Sequence, residues 1–205
     1  MKNIFGFIIG IIALFSVILQ LYLMIENRVA DVPETIIRFF SFFTILTNLL
    51  VGIYFSILIN SNNFKASFFY KLFSVTSVTI YIFIVGLVYQ IALRYIWQPA
   101  GLQRLVDELL HSIIPILVVL YWYFYENKKN LKYLDVWYWL IYPIVYLIFI
   151  LIRGQFSDYY PYPFVNIPVI GTSAAAINIV ILIVTFGIIS LAFVKIALLI
   201  EKQKK

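Results

Sequence analysis

Cysteine is absent from the sequence, which excludes disulfides, thiolate metal sites and cysteine nucleophiles and leaves the redox compartment unread. Histidine occurs once. One histidine without cysteine cannot supply two axial haem ligands, a zinc triad or a HExxH protease site, so no metal and no cofactor is expected. A retinal-type Schiff base needs a lysine at mid-membrane depth, and the nearest candidate, Lys195, lies close to one end of its apolar stretch. Charge is scarce as well. Only 12% of residues are charged and 64% are hydrophobic, against about 25% and 45–50% in soluble domains. The formal charge of +6 is carried by lysines in short loops beside apolar runs, not gathered on an exposed polar face, so nucleic acid is not an expected partner.

What is abundant is apolar length. A crossing takes about 20 apolar residues, so 205 residues hold roughly six crossings and short loops. The expected fold is an all-α integral membrane protein, a six-transmembrane-helix bundle forming one domain over residues 1–205. The stretches run from Ile4 to Ile25, Ile36 to Ile59, Val75 to Ile96, Leu109 to Tyr125, Val136 to Ile152 and Ala174 to Ile200. The first is longer than the apolar core of a signal peptide and lacks a small-x-small cleavage site, so it reads as a retained helix. Loops are marked by Asp31-Val-Pro33, Asn60-Ser-Asn-Asn63, Gln98-Pro-Ala-Gly101, Glu126 to Asn130, and the segment from Arg153 to Gly171. In the last, Asp158 to Phe164 carries three tyrosines and two prolines and reads as a rigid interfacial lid.

Six alternating spans put every lysine on one side: Lys2, Lys65, Lys71, Lys128, Lys129, Lys132, Lys195, Lys202, Lys204 and Lys205. That side is expected to be cytoplasmic, with both termini on it. The arginines, Arg28, Arg38, Arg94, Arg104 and Arg153, fall on the other side with Glu26, Asp31, Glu34, Asp107, Glu108 and Asp158. Two readings fit this rim: arginine forks that recognise carboxylate or phosphate, or pairing with the neighbouring acids.

Polar side chains at membrane depth are costly and face a bundle interior or a wet cavity. On the second stretch Arg38, Ser41, Thr44 and Asn48 recur every three or four residues as one stripe, beside Thr47. Arg104, Asp107, Glu108, His111 and Pro115 share a face of the fourth, with His111 at a depth comparable to Thr44. Tyr89, Gln90 and Arg94 on the third stretch, Tyr142 and Tyr146 on the fifth and Asn178 on the sixth complete an expected polar pocket. His111 is the natural acid or base near neutral pH, and Asp107 or Glu108 is placed to orient its ring. Interhelical hydrogen bonding alone is the plainer reading of His111, and back-bonding to the helix is the plainer reading of Thr44. Ser173 in Gly171-Thr-Ser173 is a backup nucleophile whose motif is incomplete, because Ala174 stands where a glycine would finish it.

Phe39 to Gly52, Trp97 to Pro115 with its His111-x-x-x-Pro115, Arg153-Gly154 and Tyr160 to Phe164 resemble the bacterial branch of the androgen-induced gene and androgen-dependent TFPI-regulating protein family. The resemblance covers nearly the whole chain. It implies a multipass threonine hydrolase of fatty acid esters of hydroxy fatty acids, with Thr44 as nucleophile, Thr47 as the rival register, and His111 as base. Under that reading the partner is a lipid or fatty-acyl ester. Ser41, Asn48, Gln90 or Asn178 would donate to the developing oxyanion, and Arg38, Arg94 or Arg153 would hold a carboxylate or phosphate. The competing class is a non-enzymatic lipid-binding protein or a small-solute or proton transporter with His111 as relay; the inverted repeat that would favour transport is not evident.

Overall fold

A computed structural model describes residues 1–57 and 69–203. The Asn60-Ser-Asn-Asn63 loop, Lys65, Lys204, Lys205 and the end of the second stretch at Ile59 lie outside the described residues. Within them every regular element is helical: α1 (Lys2–Glu26), α2 (Val32–Phe39), α3 (Phe43–Ser56), α4 (Phe69–Leu72), α5 (Val75–Val88), α6 (Gly101–Glu108), α7 (Ile114–Tyr125), α8 (Asp135–Ser157), α9 (Ile167–Ile170) and α10 (Thr172–Gln203). Two five-residue π-helical turns, π1 (Tyr89–Leu93) and π2 (Leu109–Ile113), extend α5 and join α6 to α7. Five helices, Lys2–Glu26, Phe69–Leu93, Gly101–Tyr125, Asp135–Ser157 and Thr172–Gln203, are long and apolar enough to cross a membrane, and α2 with α3 makes a sixth if the bent pair is one span. These are the marks of a multi-pass membrane protein. The chain forms two compact units, Met1–Tyr70 with Ser74–Glu126, and Lys71–Phe73 with Asn127–Lys205.

In the first unit α1 packs along α3 through small residues. A Cβ on Gly10 would meet the Ser56 side chain and lie 2.9 Å from the Ser56 nitrogen, and one on Gly52 would lie 2.6 Å from Leu14. Such glycines let helix backbones approach closely where lipid supplies no hydrophobic drive to pack. α5 is the most enclosed of the long helices and packs against α3 and α7. Ser74 caps it, accepting from the Ser77 N–H at 3.3 Å.

The second stretch is not one helix, which corrects the continuous span expected there. Asp31 caps α2 by accepting from the Glu34 N–H at 3.0 Å, Pro33 sits in its first turn, and the helix stops after Phe39. Phe42 takes an extended conformation (φ −82°, ψ 126°), and α3 restarts at Phe43 with a bend of 72° between the two axes. The Ser41 hydroxyl bonds back to the Ile37 carbonyl at 2.7 Å, a local bond that competes with continued helix. The single stripe of Arg38, Ser41, Thr44 and Asn48 is therefore split at the bend.

In the second unit α8 packs on α10. α8 ends at Asp158 in the left-handed region (φ 52°), and the Tyr160 ring folds back against Gly154, where a Cβ would collide with it. Tyr162 and Phe164 stack with centroids 5.1 Å apart, and Asn178 donates to the Phe164 carbonyl at 2.8 Å. The tyrosine and proline segment thus has ordered contacts within its own unit.

Candidate active site

Three backbone devices bring the polar side chains of the first unit together. Thr44 is the second residue of α3 because the chain breaks at Phe42, so its hydroxyl stands in the first helical turn. Pro115 has no N–H to offer the His111 carbonyl, and the turn containing His111 widens to π2, where the Ile114 N–H reaches back to Leu109. Gly86 on α5 then lies against that turn, with room for a Cβ only 3.0 Å from the His111 carbonyl oxygen.

The Thr44 Oγ1 is 3.2 Å from His111 Nε2. On the other side of the ring, His111 Nδ1 is 2.9 Å from the Asp107 carbonyl oxygen and 3.3 Å from Asp107 Oδ1. A carbonyl can only accept, so the ring proton resides on Nδ1 and Nε2 offers its lone pair to the threonine hydroxyl. The ring plane is held by Tyr89, stacked on it at 4.2 Å and 15°. Both side chains are largely enclosed, His111 at 12% exposure and Asp107 at 7%. Low dielectric of this kind strengthens the pull of the carboxylate on any charge that forms on the imidazole.

The other sequence candidates are placed differently. Glu108 does not orient the imidazole: it binds Arg94 at 2.6 Å and accepts from Ser112 at 2.7 Å. Gln90 is spent in the same network, donating to Ser112 at 2.9 Å and accepting from Arg94 at 2.8 Å. Asn48 directs its Nδ2 at two carbonyls, Thr44 at 2.9 Å and Leu110 at 3.2 Å, so it ties α3 to π2 and has no N–H left for an oxyanion. Ser41 bonds back to Ile37, and Arg38 pairs with Glu34 at 2.8 Å. Arg153 and Asn178 belong to the second unit, where Arg153 reaches the Tyr159 carbonyl at 3.4 Å and lies over its ring. Thr47 is fully buried on α3, and Ser173 is exposed in the first turn of α10. The reading from sequence placed Tyr89 in the polar pocket but did not give its role as the ring stacked on His111. Among the described residues no group of histidines and acids could hold a metal ion.

Beside His111 an apolar groove of about 330 Å³ runs along α5 and α7, walled by Phe83, Leu87, Pro115, Ile116 and Leu120. The constellation can therefore remove a proton from a hydroxyl and stabilise the resulting imidazolium, with an apolar groove beside the imidazole. Comparison with protein-family models, characterised proteins and solved structures returns no match to this chain.

Proposed function

We propose that the chain is a membrane-embedded hydrolase of lipid esters, with Thr44 as nucleophile, His111 as general base and acid, and Asp107 holding the imidazole. The observation that carries this reading is the 3.2 Å contact from the Thr44 hydroxyl to a ring nitrogen whose opposite nitrogen is anchored on Asp107. Nucleophile, base and orienting group stand in the order that acyl transfer needs. The resemblance of the Phe39 to Gly52 and Trp97 to Pro115 segments to threonine hydrolases of fatty acid esters of hydroxy fatty acids supports the same chemistry.

Thr44 Oγ attacks the ester carbonyl while its proton passes to His111 Nε2. The tetrahedral oxyanion forms over the first turn of α3, where the helix dipole is positive. Collapse expels the alcohol, which takes the proton from His111, and leaves an acyl-threonine. Water then gives a proton to His111 and its oxygen to the acyl carbon; the second collapse releases the fatty acid and returns the proton to Thr44. The apolar groove beside His111 suits the acyl chain, since each methylene moved into such a channel from water is worth about 0.8 kcal/mol. Lysine segregation supports cytoplasmic termini and a site that opens toward the outer leaflet of a bacterial cytoplasmic membrane.

A fluorophosphonate that labels activated hydroxyls tests the reading on purified protein. Labelling of the wild type, lost in folded Thr44→Ala and His111→Ala, is the expected result. Labelling that persists in Thr44→Ala overturns the nucleophile.

A further inference from the structure

A second cavity, of about 380 Å³, opens at the arginine-bearing end of the same helices, lined by Tyr89, Arg94, Tyr95, Trp97, Arg104 and Glu108, among others. Its two guanidinium groups are not equivalent. Arg94 is committed to Glu108 at 2.6 Å and to Gln90 at 2.8 Å, whereas Arg104 has no ion pair or hydrogen bond among the described residues. Two guanidiniums face one carboxylate, and the uncompensated positive charge is that of Arg104. Tyr95 and Trp97 line the same cavity, a combination that suits a planar oxyanion on an amphiphile lying at a membrane surface. Tyr89 belongs to this cavity and also stacks on His111, so an occupant lies one ring away from the imidazole. The apolar groove leaves His111 in the opposite sense along α7, toward Leu120. Head-group cavity, reacting pair and chain groove thus succeed one another along the helices, as head, carbonyl and tail do along a lipid.

We propose that this cavity recognises an oxyanion carried by the ester substrate, with Arg104 as the docking cation. The inference rests on the hydrolase reading for its place in catalysis, but the cavity itself can be tested without turnover. A carboxylate and a phosphate share the necessary chemistry. Among the five arginines on this side of the expected topology, Arg28 donates to the Ile25 carbonyl at 2.9 Å, Arg38 and Arg94 are paired with acids, Arg153 reaches the Tyr159 carbonyl, and Arg104 is the one the geometry presents to a ligand.

Esters with one acyl chain and a neutral, a carboxylate-bearing or a phosphate-bearing alcohol should be compared on wild type and Arg104→Gln. Arg104 is exposed, so the variant should raise KM for the anionic esters only about fivefold, the worth of a solvent-exposed charge-assisted contact, and leave kcat and the neutral ester unchanged. Arg104→Lys should fall between them, because an ammonium keeps the charge but not the fork. Whichever anionic ester responds more identifies the source as carboxylate or phosphate. Equal effects on all three esters, or none on either anionic one, would overturn the proposal. Trp97 gives a readout independent of catalysis: dodecanoate or dodecyl phosphate, but not dodecanol, should change the fluorescence that Trp97→Phe removes, with weaker binding in Arg104→Gln. If no ester is hydrolysed yet this Arg104-dependent binding is present, the hydrolase reading fails and the anion site stands; if dodecanol binds as well as the anions, the anion site fails.

Discussion

Asn48 is bonded to Leu110 across two helices: its Nδ2 lies 3.2 Å from the Leu110 carbonyl oxygen, and the same nitrogen donates to the Thr44 carbonyl at 2.9 Å. The residue that ties the helix of Thr44 to the turn of His111 is thus a buried amide. Replacing Asn48 with leucine keeps the branched outline of the side chain and removes its N–H groups, so the Leu110 carbonyl loses this partner, while the Thr44 carbonyl keeps its helical one. The cost should be about 1–3 kcal/mol of stability, read as a lower Tm in detergent. Hydrolysis should fall at least about tenfold, because small misplacements of a reacting pair are costly.

Asp107 makes two different contacts with one ring nitrogen, and the backbone oxygen is the nearer, at 2.9 Å against 3.3 Å for the carboxylate. Asp107→Asn therefore keeps the Nδ1 proton in place and removes only the negative charge that stabilises the imidazolium. The expected loss in kcat is about ten- to a hundredfold, smaller than where the carboxylate alone sets the tautomer, with KM nearly unchanged. A loss as large as that of His111→Ala would mean that the side chain, not the backbone, fixes the tautomer.

Topology is open to a direct test. A reporter active only outside the cytoplasm, fused after the last residue, should be silent, and the same reporter in the Gln98 to Gly101 turn should be active. The reverse pattern would place the site on the lysine-rich side and remove the case for an outer-leaflet substrate.

The helices were legible because twenty-residue apolar runs carry their own signal, and the place of Asp107 and Glu108 one turn ahead of His111 offered both as its partner without deciding between them. The break at Phe40 to Phe42 was not, since neither glycine nor proline marks it and a serine bond to Ile37 gives no pattern in apolar periodicity. That break matters for function: it turns Thr44 from one member of a long polar stripe into a residue of a helix's first turn. The pairing of Glu108 with Arg94 was likewise hidden, because it joins the end of α6 to the residue that follows π1, and spacing within one helix is silent about its neighbour. Pro115 was a signal of an irregular turn at His111 that the reading from sequence did not use.

Thr44 and His111 should behave as one unit. A threonine hydroxyl is a weak nucleophile until a base takes its proton, and the sequence holds no second imidazole to substitute. Thr44→Ala leaves a base with nothing to activate, and His111→Ala leaves a hydroxyl that stays protonated. The double variant should then be no worse than either single one, all three losing at least about a thousandfold, the pattern of groups that act together. Thr44→Ser keeps a hydroxyl on the same backbone position and should retain measurable turnover. Thr47→Ala and Ser173→Ala should keep most activity, since the 3.2 Å contact to Nε2 is made by Thr44. Losses in Thr44→Ala and His111→Ala that multiply in the double variant would show two independent structural roles, and would remove the proton transfer on which the mechanism depends.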